Sequence, residues 1–285
     1  MFRSRLMPGH GSAGSLSGVA RTALAVAGLL LLAWPGQTLA RGSTPAEAPP
    51  LPATWSMNLY RASVVRYQNP DLNGCTAAST VSMLDLVALA SQPDQPPPRG
   101  GSLAQSSFVW TIDISWNTQE HVMWFERSHM SMTRDVKGSD PSGWRNGLNY
   151  YGWGSIYADV YRDVTFGSFN SAAHAVIDSI ARTDKPAGVL GWAGSHAQYV
   201  TGYTVEGDDP RVSDNYTIVG IYLSDPLKVE ARPSVYLTLK DWQSGPYVIK
   251  FARYEQYGSI FIDQIDGKTG DSKWPGKWVA ILPVR

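Results

Sequence analysis

A single cysteine, Cys75, stands in a chain of 285 residues that opens with what reads as an export signal. Exported proteins normally carry cysteines in pairs, because their compartment oxidises them. With one thiol, no disulfide can staple this chain to itself, so its fold rests on non-covalent packing. A solitary thiol in such a chain also needs a reason other than crosslinking. Either it is a small buried hydrophobe or it is a reactive group.

The first 40 residues do not belong to the fold. Arg3, Arg5 and Arg21 precede an apolar stretch from Thr22 to Trp34, too short to span a bilayer comfortably and followed by Thr38-Leu39-Ala40. The pattern predicts a secretory signal over residues 1–40, cut after Ala40, with an uncleaved anchor as the alternative. A secreted or cell-envelope protein follows, without stable membrane insertion after cleavage. Residues 41–53, rich in proline and alanine, predict a disordered linker. Residues 54–285 contain no internal linker and no repeat, and are long enough to bury one large core, so a single domain is expected. Without residues 1–40 the chain holds 21 basic and 24 acidic side chains, a net charge of −3, and no lysine or arginine run. Such a surface has no electrostatic footprint for a phosphate backbone, which argues against nucleic acid as a partner.

Along the domain, Asn73-Gly74-Cys75 leads into a long apolar run to Leu89, which predicts a loop delivering the cysteine to the first turn of a buried helix. Backbone N–H groups at a helix start favour negative charge, hence a thiolate. The proline-rich 91–101 stretch reads as a surface loop, and the aromatic-rich 103–132 segment as short helices near 103–110 and 118–127. Asp140-Pro141-Ser142 opens a helix that glycine stops at 154. A helix over 169–182 has Asn170 as its expected N-cap. Strands are then expected at 187–192, 196–203, 216–223, 247–251 and 278–283, each β-branched or aromatic between turn signals. Helices first and an antiparallel sheet afterwards make the fold α+β.

His196 opens one expected strand and Asp225 closes the next. If those strands are antiparallel neighbours, the start of the first lies beside the end of the second, and the two side chains meet at one edge of the sheet. In that geometry a carboxylate fixes the tautomer of an imidazole, which in turn takes the proton of a thiol. Gln68, upstream of Cys75, is placed to donate to a developing oxyanion together with the Cys75 N–H. Each piece has a plainer reading. A histidine at a strand start can be edge chemistry, and Asp225-Pro226 can be only a turn.

The pattern of Gln68, Cys75, Ala78 and the following apolar helix resembles the nucleophile region of the double-glycine leader peptidase-like (bacteriocin-processing) branch of papain-fold cysteine peptidases. The stretches 185–203 and 222–226 resemble its histidine and aspartate strands. The resemblance covers about residues 60–90 and 170–230 and implies a papain-like fold, N-terminal helices packed on an antiparallel sheet. It also implies roles: Cys75 nucleophile, His196 base, Asp225 orienter, Gln68 oxyanion donor. Two features depart from the family. Thr76 follows the cysteine where glycine is usual, and the glutamine lies seven residues upstream instead of six. No transporter segment appears in these residues, so bacteriocin export is not among the expectations.

The expected activity is thiol hydrolysis of a peptide or related amide in a peptide or protein substrate. A cell-wall amidase or transglutaminase-like acyl transfer is the nearest enzymatic alternative, and an inactive binding domain on the same fold is the other. No metal or organic cofactor is implied. His121, His129 and His174 lack metal-ligand spacing. Trp144, Trp153 and Trp192 are either cleft or core aromatics, with Trp192 of most interest because it lies four residues before His196 on the preceding strand.

Overall fold

The apolar patterns resolve, in the computed structural model, into one antiparallel sheet with helices on both faces. The structure describes residues 51–65, 67–68, 74–91, 116–131, 138–227, 234–245, 250–255 and 274–285. All fall within one compact unit, Pro50–Arg285. The architecture is α+β.

Strands β1 (Thr54–Asn58), β2 (Tyr161–Phe166), β3 (Ala187–Gly191), β4 (His196–Gly207), β5 (Tyr216–Ser224), β6 (Val235–Thr238) and β7 (Trp278–Pro283) pair in the order β2-β7-β3-β4-β5-β6. Strand β4 carries the design. Its first half pairs β3 and its second half pairs β1 on the same edge, while β5 runs along the other. Gly202 admits β1 at that changeover, since a Cβ there would lie 2.0 Å from the Met57 carbonyl oxygen.

Side chains that alternate along the strands feed two cores. Val279 and Ile281 join Leu190, Ala197 and Tyr199 under α1 (Cys75–Ser91), α2 (Trp116–Ser128) and α3 (Pro141–Trp153). Ala280 and Leu282 join Ala187, Val189 and Val200 under α4 (Phe169–Thr183) and the short α5 (Leu239–Ser244). Helix α1 is buried on every side from Ala77 to Ala88, as a helix without a polar face must be. Helix α3 starts as expected: the Asp140 side chain accepts from the Gly143 N–H at 2.7 Å with Pro141 in the first turn. Gly154, at φ 75°, closes it in the left-handed conformation.

Burying α1 among helices has placed a carboxyl in the core. Glu126 of α2 is fully buried, and its Oε1 accepts from the Thr80 hydroxyl at 2.7 Å. Burial raises its pKa from 4.5 to about 8; the Thr80 hydrogen bond and the nearby Thr76 hydroxyl oppose the rise and the Asp140 charge adds to it. Between those values the folded protein holds a proton that the unfolded chain has released. This contribution to stability is therefore fully present below pH 4.5 and is lost as pH rises through 8, on the order of 5 kcal/mol from this group. Glu126→Gln keeps the shape and removes the titration. Melts at pH 5 and pH 8 should show a steep loss in the wild type and a clearly smaller one in the variant. Equal losses would contradict this account of Glu126.

Several sequence expectations are corrected or fall elsewhere. The N-cap of α4 is Ser168, whose hydroxyl accepts from the Ser171 N–H at 3.1 Å, and not Asn170, which lies inside the helix. The expected strand 187–192 ends at Gly191, and Trp192 begins a 3-10 turn. Helix 118–127 is present as Trp116–Ser128. The 103–110 helix and most of the 247–251 strand lie outside the described residues; Phe251 makes an isolated bridge with Gly191. Of the 41–53 linker only residues 51–53 are described, and the Ala53 carbonyl already accepts from the Gly207 N–H. Strands β1, β2 and β6 were not expected from the sequence. Among the described residues no helix is long and apolar enough to cross a membrane; the 22–34 stretch lies outside them.

Candidate active site

Helix α1 packs alongside β4 and meets it at two levels. Cys75 is near enough to His196 to raise its pKa, and Ser82 lies near the Tyr199 phenol. Seven helical residues and three strand residues each advance about 10 Å, so the start of α1 and the start of β4 lie at one level. Cys75 remains partly exposed, whereas His196 is buried.

The strand register brings in the carboxyl. Tyr199 pairs with Ser224, so the next residue of the chain, Asp225, lies opposite Gln198. His196 and Gln198, two residues apart, share one face of β4. Asp225 accepts from both: its Oδ1 is 2.7 Å from His196 Nε2, and its Oδ2 takes the Gln198 Nε2–H at 2.7 Å. The Leu227 N–H also donates to Oδ1, at 2.8 Å. An acceptor with three donors requires the hydrogen of the imidazole on Nε2, which leaves Nδ1 as the ring atom for the thiol. Burial alone would lower the His196 pKa. Hydrogen bonds to Asp225 and to Cys75, with the charges of both, outweigh it and hold the value up at about 9.

Gln68 is brought to the same loop by its backbone: its N–H donates to the Pro226 carbonyl at 2.8 Å. On the other side, the Gln119 amide of α2 donates to the Tyr67 carbonyl at 2.8 Å. Asp225-Pro226-Leu227 thus holds the imidazole partner with one residue and the glutamine segment with the next. The Gln68 Oε1 atom is buried and has no hydrogen-bond partner among the described residues. Thr76, the departure from the expected glycine, is buried beside Glu126 on the face of α1 that also carries Thr80. One helical step of 100° separates it from Cys75, so its side chain does not crowd the thiol.

The turn before His196 is strained. Trp192 and Ala193 have φ of 46° and 56°, followed by Gly194 at 98°. Two non-glycine residues in the left-handed region cost on the order of 1–3 kcal/mol each. The Ala193 carbonyl accepts from the Glu255 N–H at 2.7 Å, and Tyr254 packs where a Gly194 side chain would be. The turn holds the Trp192 ring tilted over His196, centroids 5.5 Å apart and 45% of the residue exposed. Trp144, by contrast, is wholly buried in the core, and Trp153 packs against that core.

The remaining histidines among the described residues stand apart. His129 Nδ1 bonds the Phe125 carbonyl within its own helix turn, His174 lies against Tyr216, and His121 is exposed on α2. Among the described residues no three His, Cys, Asp or Glu side chains are grouped to hold a metal ion. A polar cleft of about 750 Å³, lined by Arg145, Tyr157 and Arg162, includes none of the expected site residues. Its guanidinium groups are paired within the protein, with Asp163 and Asp159. Sequence reasoning passed over Gln198. Residue 198 shares a face with 196, and the signal that it meets 225 comes only with the strand register.

No family model matches the chain, and no curated protein or solved structure matches it.

Proposed function

We propose that the protein is an exported thiol hydrolase of papain-like fold that cleaves a peptide or related amide bond by acyl transfer from Cys75. The observation that carries the reading is the buried His196 held to Asp225 Oδ1 at 2.7 Å, with the partly exposed thiol of a helix start as its electrostatic neighbour. Thr76 supports it by being turned into the core, so the residue that replaces the expected glycine does not obstruct the thiol.

In the reaction, the Cys75 thiolate attacks the amide carbonyl and a C–S bond forms, with imidazolium on His196. The Cys75 N–H and the Gln68 side-chain amide stabilise the oxyanion. His196 passes its proton to the leaving nitrogen as the C–N bond breaks, leaving a thioester. Water then loses a proton to His196 and adds to the thioester carbonyl. Collapse breaks the C–S bond, and the proton returns to sulfur. Asp225 keeps the ring turned and compensates its charge throughout. Export places this chemistry in the envelope or medium, in a chain expected to begin at Arg41.

A digest of a mixed peptide library by the 41–285 chain, read by mass spectrometry, tests the proposal. New amide-bond cleavages are expected, and prior treatment with iodoacetamide or the Cys75→Ser substitution should abolish them. Cleavage that survives both would contradict the role of Cys75.

A further inference from the structure

We propose that Gln198 is a positioning residue of this site, fixing the rotation of the Asp225 carboxyl so that Oδ1 stays on His196. The assignment rests on the reading of Cys75, His196 and Asp225 given above and extends it by one residue.

A carboxyl that orients an imidazole must itself be prevented from turning about its last side-chain bond. Oδ1 is held by the ring and by the Leu227 N–H. A donor on Oδ2 holds the other end of the group against turning, and the Gln198 amide supplies one at 2.7 Å from a wholly buried position. The amide gives up something for this. Its Oε1 is buried without a hydrogen-bond partner among the described residues, a state that is unfavourable in a protein interior. Turning the amide over would aim Oε1 at a carboxyl oxygen, which repels it. Cross-strand placement explains why glutamine fits: residue 198 faces 225 directly, and the longer amide reaches the far oxygen past the one that His196 occupies. The titratable groups facing His196 are Cys75 from α1 and Asp225 from the end of β5, with the Trp192 ring as a further neighbour. A loosened Asp225 therefore reports on the thiol through His196.

Gln198→Met keeps the length and bulk and removes the donor. The rate of Cys75 alkylation by iodoacetamide is measured from pH 4 to 10 in wild type, Gln198→Met and His196→Ala, with a thermal melt of each. For Gln198→Met the acidic midpoint of the profile should move up by about one unit, partway to that of His196→Ala, with the melt close to wild type. A packing role alone would lower the melt and leave the midpoint where it is, and that result overturns the assignment. Should the methionine variant fold poorly, Gln198→Glu reads the same contact. Two facing carboxyls then share one proton, and the profile gains a second break that the wild type lacks; a single unshifted break overturns the assignment too. The underlying reading fails separately, in the case where His196→Ala and wild type give the same profile.

Discussion

Asparagine in place of Asp225 is expected to slow turnover by a factor on the order of 10³ while leaving the melting temperature within a few degrees of wild type. The asparagine carbonyl can still accept from His196 Nε2 and from the Leu227 N–H, so the ring remains oriented. Its amide nitrogen then faces Gln198, whose Oε1 has no partner; turning that side chain over supplies the acceptor and keeps the pair bonded. The fold therefore tolerates the change. The chemistry does not, because the charge that compensates imidazolium is gone and the step that forms thiolate and imidazolium becomes uphill. If Asp225-Pro226 were merely a turn, asparagine would suit it equally well and turnover would not change. Activity of both proteins on one substrate, compared at matched thermal stability, decides between these. A variant that melts normally and keeps full activity removes Asp225 from the mechanism.

Much of this arrangement could be read from the chain because its signals are local. The glycine before Cys75 and the apolar run after it define the start of α1, and β-branched runs separated by Gly-Asp-Asp-Pro define the β4–β5 hairpin. A hairpin fixes which ends meet, so His196 and Asp225 were neighbours by topology before any coordinate was known. Elements whose pattern is set by distant partners were not legible. Strand β1 alternates exposed and half-buried residues at an edge and depends on Gly202, roughly 145 residues away, for its place. Strand β2 includes Arg162 and Asp163, which weaken its apolar signal; the buried Asp163 carboxyl is held by Arg145 and by the Trp274 indole. The Asn170 cap failed by two residues for a small reason: serine and asparagine are comparable caps, and Ser168 came first. Gln198 went unnoticed because a polar residue within an otherwise apolar strand has no meaning until the register is known. Thr76 looked like a departure that mattered, and the helical phase that turns it toward Glu126 became visible only with α2 in place.

The central claim is that His196 and Cys75 act as one chemical unit, and the pH dependence of Cys75 alkylation tests it most directly. An isolated thiol reacts as its thiolate forms, near pH 8.5. If the two act as one unit, the imidazolium that Asp225 favours up to about pH 9 promotes attack by the sulfur throughout that range, and loss of the imidazole removes the effect. Cys75 is the only cysteine, so labelling by iodoacetamide reports on it alone. At pH 6 the wild type should react on the order of 10²-fold faster than His196→Ala. The variant should show one inflection near 8.5. Two superimposable profiles, both rising near 8.5, would show an ordinary thiol beside an ordinary histidine and contradict the account.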